Sequence, residues 1–321
     1  MKKLLILITF TCHGFVHINL DAKELANNYS SILDQLINKV SEENMDEHLA
    51  LLRQKSPDSP DTWIHSANWV ISRARKSTMR MPYIFDEVPA NGSVPIKDID
   101  GKPWIIDPKT GLPIAEVMTT EVSWDSALVT QSLEFLRIAQ QRFPNRLDII
   151  FAIAYIQEIT GNYPGQVFAL QKLRSTIILN KNDLKWGHGA PIKGSLNKFI
   201  TDKLHPISTK HYRNETASGD LYFFKVNKLM VELFPREVRG WNNLAIYYSL
   251  KNDWFSAHKV LRQGLKVSPE DQLVITNLAM NAVRLGLKDE AIQLYEHLKV
   301  LSKSKRDQLE IDQFIKRLKS E

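Results

Sequence analysis

Residues 241–269 read WNNLAIYYSLKNDWFSAHKVLRQGLKVSP, and their spacing decides the fold. Trp241, Leu244, Ala245 and Tyr248 recur at intervals of three and four, the spacing of one helical stripe. Asn252-Asp253 is a turn signal, and Ala257, Leu261 and Gly264 then begin a second stripe. Pro269 cannot continue a helix interior, so it marks the passage to the next element. A shift of 34 residues lands on Ile275, Leu278, Ala279, Ala282, Ala291, Tyr295 and Leu298. Two copies in one register mean a repeated helical hairpin, in which each unit buries its apolar stripe against its neighbour. Ala245 and Ala257 are expected to be small because the paired helices cross closely there.

Weaker copies lie upstream. Pro235 precedes Trp241 by six residues, as Pro269 precedes Ile275 and Pro144 precedes Ile150. Ser132, Leu136 and Ala139 read as the second helix of an atypical unit, and Ile153-Ala154, Gly161-Asn162-Tyr163 and Leu170 as another hairpin. Pro144 and Pro235 are 91 residues apart, not a multiple of 34, so an insertion must interrupt the array. It is expected at 180–194, where Trp186-Gly187-His188-Gly189-Ala190-Pro191 cannot be helical. Helices are predicted over Ser195–Lys203 and Asp220–Phe234, and a last amphipathic helix, Arg306–Leu318, is predicted to cap the stack.

The N-terminal hundred residues carry no such copy. Helical spacing predicts helices over Leu25–Val40, Asn44–Gln54 and, from Trp63, Ala67, Val70 and Ile71, a third that ends before Pro82. Val88–Val122 is rich in Pro and Gly, and its turn signals at Asp100-Gly101 and Asp107–Gly111 bracket Trp104-Ile105-Ile106 and Leu112–Ala115. That pattern predicts a small β-hairpin. The fold expectation is therefore mainly α: a signal over 1–22, N-terminal helices plus a β-hairpin over 23–122, and a superhelix of helical hairpins over 123–321.

Composition fixes the broad class. The 321 residues are 43% hydrophobic and 24% charged, globular values that exclude fibrous, low-complexity and polytopic-membrane chains. The formal charge of +6 is spread along the length, whereas nucleic-acid binders concentrate their cations on one element, so no nucleic-acid partner is expected. Lys2-Lys3 followed by the apolar run Leu4–Phe10 has the layout of a secretory signal, too short for the roughly 20 residues of a spanning helix. Cleavage fits after Gly14 or, preferred here, after Ala22. The mature chain would then have charge +5 and no cysteine, which suits an oxidising compartment. Lipidation at Cys12 is disfavoured, because Thr9-Phe10-Thr11 lacks the Leu and the small residue that usually precede a lipid-carrying cysteine. The triplets at Asn28, Asn91 and Asn214 matter only in a glycosylating source.

The offsets around Trp241 match the tetratricopeptide repeat. Together with Arg142-Phe143-Pro144-Asn145-Arg146-Leu147-Asp148, Thr110-Gly111-Leu112-Pro113-Ile114 and Asn243–Tyr248, they give a chain that resembles bacterial exported tetratricopeptide-repeat proteins of unassigned activity, over about residues 100–320. The resemblance implies a helical-repeat scaffold that binds other proteins, with no catalytic residue to carry over.

A search for chemistry returns little. The chain has no phosphate loop, cysteine pair or His-Glu-x-x-His helix, so no cofactor or metal is expected. Trp186, His188, His205 and His211 surround the insertion at spacings that fit no ligand set. Asp98, Asp100 and Asp107 resemble a calcium loop but lack its later acidic ligands, and turn formation explains them. Arg73, Arg75, Lys76 and Arg80, set among Trp69, Met79, Met81 and Tyr83, read as the wet face of a helix, with contact to an anionic lipid surface or nucleic acid as the alternative. The run 142–148 reads as a helix end and start in which Pro144 terminates, Asn145 caps, and Arg146 and Asp148 pair or touch the insertion.

The first helix of each hairpin lines the concave side of such an array. Candidate peptide-binding residues are Arg239, Asn242, Asn243, Ile246 and Ser249 on one unit and Leu273, Thr276, Asn277, Met280 and Arg284 on the next. Asn243 and Asn277 occupy equivalent positions and can donate and accept along an extended peptide. A full carboxylate clamp is not present. The leading expectation is a non-enzymatic scaffold that binds a protein or peptide outside the cytoplasm, peripheral to the envelope and without a spanning segment. The alternatives are a secreted effector acting on a host protein and an enzyme with its site in the N-terminal region and the 180–211 segment.

Overall fold

The computed structural model describes residues 44–80, 94–97, 103–106, 113–116, 119–214 and 216–320, with side chains over 44–77, 122–214 and 216–320. The signal over 1–22, Cys12, the predicted helix Leu25–Val40, Asp98, Asp100, Asp107, Met81 and Tyr83 lie outside these residues. The described chain divides into two compact units. One runs to Pro144 and includes Tyr155–Asn162; the other comprises Asn145–Ala154 and the chain from Tyr163 onward.

The fold is mainly α, built from helical hairpins with inserted strands. In the first unit, α1 (Met45–Lys55) is followed by α2 (Pro60–Ala74). The strands β1 (Arg75–Arg80), β2 (Val94–Lys97), β3 (Pro103–Ile106), β4 (Pro113–Glu116) and β5 (Thr119–Trp124) come next, and then α3 (Ser126–Arg142). The third predicted helix therefore stops eight residues before Pro82. Arg75, Lys76 and Arg80 lie on a strand and not on a helical wet face, because β1 pairs antiparallel with β5 from Arg75↔Trp124 to Arg80↔Thr119. The predicted hairpin exists as β3 against β4, with β2 added on the other edge of β3 and a register shift between Ile105 and Ile106.

The β segment opens a hairpin that the sequence reading missed. Trp63 Nε1 donates to the carbonyl of Pro57 six residues earlier at 2.8 Å, as Trp241 Nε1 donates to that of Pro235 at 2.9 Å. Ala67 and Ser132, both fully buried, form the close crossing between α2 and α3, and the Ser132 hydroxyl donates to the Ala67 carbonyl at 2.8 Å. Ala67 and Ser132 are 65 positions apart, against 12 for Ala245 and Ala257, so the turn of this unit carries 53 extra residues. The β1/β5 ladder closes the neck of that insertion. Asp125 then caps α3 by accepting from the Ala127 and Leu128 amides, and it pairs with Lys76 at 2.9 Å. Second-helix positions 12 and 8 residues before each proline are buried throughout: Met45 and Leu49, Ser132 and Leu136, Phe223 and Asn227, Ala257 and Leu261.

From Leu147 onward the helices are α4 (Leu147–Ile159), α5 (Tyr163–Leu179), α6 (Leu196–Tyr212), α7 (Ala217–Leu233), α8 (Val238–Leu250) and α9 (Trp254–Val267). They continue with α10 (Gln272–Arg284), α11 (Lys288–Leu301) and α12 (Lys305–Ser320). The turns after α4, α8 and α10 are one motif. Gly161, Asn252 and Gly286 sit at φ 76°, 57° and 72°, the left-handed region that closes a helix end. In each, that residue's amide bonds the carbonyl three back, and the next amide the carbonyl five back. The insertion falls where the 34-residue count fails, between Leu179 and Leu196, as the short pair β6 (Lys185–Trp186) and β7 (Ala190–Pro191). α6 is longer than the predicted Ser195–Lys203 and carries Pro206 inside it.

The second unit's core joins Ala245, Ala257, Leu261, Ile275, Leu278, Ala282, Ala291, Tyr295 and Leu298 to Ile315 and Leu318 of α12. Close crossing explains Gly264, where a Cβ would stand 3.3 Å from that of Trp241. Each fully buried Leu or Ile in this core contributes about 1.5–3 kcal/mol.

Candidate functional site

α6, α8 and α10 are the first helices of three consecutive hairpins, and their side chains connect across the stack. Arg239 of α8 pairs with Asp202 of α6 at 3.0 Å, and Lys198 pairs with the same carboxylate at 2.7 Å. Asn277 of α10 donates to the Asn242 side-chain oxygen at 2.6 Å. Hydrogen bonds from Lys198 and then Arg239 hold the Asp202 carboxyl below its usual range. The neighbouring His205 is shifted down by burial and then by the Arg239 charge.

The predicted binding residues separate into two groups. Asn243 is 9% exposed and faces inward: it donates to Asn227 Oδ1 at 2.9 Å, and Asn227 in turn donates to Ser208 Oγ and the Phe223 carbonyl, both at 2.7 Å. Asn242 is buried as well. Neither is a merely solvated position. Ile246, Ser249, Thr276 and Asn277 are half-buried, and the Thr276 hydroxyl is used on the Gln272 carbonyl. Leu273 and Met280 stand 59% and 56% exposed on the same stripe, and the Arg284 guanidinium lies 5.3 Å from the Trp254 ring centroid. Leu250 continues the apolar strip on α8 and is also exposed. The open part of this surface therefore carries Leu250, Leu273 and Met280 together with Arg239, level with Leu273 in the repeat, and Arg284, level with Leu250.

The histidines around the insertion do not converge. His211 is buried and bonds Gln166 at 2.7 Å with its ring edge-on to Tyr163, while His205 sits beside Asp202 and Arg239. Among the described residues no group of three His, Cys, Asp or Glu side chains could hold a metal. The insertion is instead fastened by packing. Trp186 stacks edge-on with Phe151 and Phe199, and the Lys203 amine lies 4.8 Å from its ring centroid. Arg146, 3% exposed, forms a bidentate pair with Asp148 at 2.8 and 2.6 Å. Asn145 takes the Lys185 amide and bonds Asp183, so it holds the insertion in place.

No protein-family model matches the chain, and no curated protein does. Among solved structures, the TPR2B domain of yeast Sti1 in its pHsp70 complex is 13% identical, covering 39% of this chain and 98% of that one at a TM-score of 0.34. The first TPR of Spaghetti (RPAP3), bound to the HSP90 peptide SRMEEVD, is 13% identical, covering 37% and 94% at 0.33. YrrB, a TPR protein with an unusual peptide-binding site, is 9% identical, covering 58% and 84% at 0.34.

Proposed function

We propose that the chain is a non-enzymatic scaffold that binds a peptide or protein segment along the first-helix face of α8 and α10, and that it works outside the cytoplasm. The observation that carries the reading is the set of exposed Leu250, Leu273 and Met280 on the first-helix faces that also carry Arg239 and Arg284. Removing exposed apolar side chains from water favours such a contact, and nearby arginines give it charge selectivity. Asn277 and Thr276 lie beside the strip, where their polar groups can meet a peptide backbone. Export rests on the Lys2-Lys3 and Leu4–Phe10 pattern, and cell fractionation tests it: recovery with the cytoplasm would overturn that part alone.

The binding reading is tested by selecting a displayed random-peptide library on the chain and measuring the selected peptides by calorimetry. Binding should weaken at least tenfold in Leu273→Glu plus Met280→Glu and stay unchanged in the exposed control Lys259→Glu. Failure to select any peptide, or equal binding by the double variant, overturns the assignment.

A further inference from the structure

α5 is apolar on more than the face it buries. Val167, Leu170 and Leu173 are in the core, while Phe168, Ile178 and Leu179 stand 64%, 68% and 79% exposed. Phe168, Gln171, Lys172, Ser175, Ile178 and Leu179 recur at intervals of three and four, so they form one stripe about 16 Å long. Most of them line a single open depression. A helix that is apolar on two sides has a face that something must cover.

The charge along this helix says what covers it. Lys172 lies in the stripe, Arg174 and Lys181 flank it, and no Asp or Glu occurs from Tyr163 to Asn182. None of the three cations makes an ion pair among the described residues, and the Lys172 amine lies 5.1 Å from the Phe168 ring centroid. A symmetric contact with a second copy would set these cations against themselves. An anionic bilayer surface supplies what the stripe lacks: laterally continuous negative charge over an apolar layer, with an interfacial zone that tolerates Gln171 and Ser175.

We propose that the exposed stripe of α5 rests on an anionic lipid bilayer, with Phe168, Ile178 and Leu179 entering the headgroup boundary and Lys172, Arg174 and Lys181 meeting lipid phosphates. α5 is the second helix of its hairpin, so the contact leaves the peptide face of α8 and α10 out of the lipid and does not depend on that reading.

The test needs a local reporter, because other segments of the full chain can bind vesicles. Cys12→Ser plus Ser175→Cys is labelled with an environment-sensitive fluorophore and mixed with vesicles of equal parts phosphatidylglycerol and phosphatidylcholine. Severalfold brightening with a blue shift is expected, with quenching by nitroxide lipids and reversal in high salt. The change should disappear in Lys172→Glu plus Arg174→Glu and in Phe168→Ser plus Leu179→Ser, with circular dichroism unaltered because all four sites are exposed. No spectral change with anionic vesicles, or the same change with pure phosphatidylcholine, overturns the proposal. Brightening that grows with protein concentration without vesicles assigns the stripe to a second copy and also overturns it. So does brightening with polyglutamate but not with vesicles, which would point to an acidic protein partner.

Discussion

Asn243 and Asn277 are equivalent by sequence and differ in what they hold. Asn243→Ala would leave Asn227 Oδ1 without its partner in a fully buried position, which costs about 1–3 kcal/mol. Asn277→Ala takes the donor from the oxygen of buried Asn242, but Asn277 itself is half-buried, so water can enter the space its side chain leaves, and the cost should stay below about 1 kcal/mol. Urea midpoints of the two variants check this, and equal losses would count against the inward network. His205 behaves as a pH-dependent element of the same face. Its folded pKa is below the unfolded value of about 6.5, because burial and Arg239 disfavour the imidazolium while Asp202 only partly opposes them. Its contribution to stability is therefore complete above about pH 6.5 and is lost as pH falls through the folded value. Between about pH 7.5 and 5.5 the wild type should lose more melting temperature than His205→Gln.

At the scale of elements, the array was legible where the turn is short and hidden where it is long. Trp241 to Leu298 repeats in one register because Asn252 and Gly286 close their hairpins at the same position. The hairpin of α2 and α3 escaped a search at fixed period because 53 residues separate its halves from their normal spacing. Its signal was present, since Pro57 precedes Trp63 by six residues, the offset of Pro235 to Trp241, and the Trp indole uses that offset to reach the proline carbonyl. The binding surface was legible as a face but not residue by residue. Asn243 turns inward toward α7, whose register lies behind the second insertion. An excision follows from the same geometry. Replacing residues 77–122 with a short turn should leave the α2/α3 pair intact, because Ser132 and Ala67 make their contact without the strands. Helical ellipticity per residue should then rise, with one cooperative melt. Collapse of the melt would show that the β segment is needed for the pair to form.

On the scale of the molecule, a stack of hairpins is stabilised mainly by nearest-neighbour interfaces, so a helix that covers the face of one hairpin matters out of proportion to its length. α12 places Ile315 and Leu318 in the core of the second unit, and Phe314 against Tyr295 at 4.9 Å between ring centroids. Its outer side is held by Lys299 with Asp312 at 2.7 Å and by Lys319 with Glu296 at 3.3 Å, exposed pairs worth little each. The apolar side must then carry the cap. Ile315→Asp would bury an unpaired carboxylate, a cost that favours release of the helix and so exposure of Leu298, Leu294 and Tyr295 of α11. Lys319→Ala tests the ionic side and should change stability by less than about 0.5 kcal/mol. Ile315→Asp should lower the melting temperature by several degrees and produce concentration-dependent association in sedimentation velocity, because the uncovered face of one chain can stack on another. If Ile315→Asp melts like the wild type and stays monodisperse, α12 is not the cap of the array, and its burial of Ile315 and Leu318 contributes nothing that α11 requires.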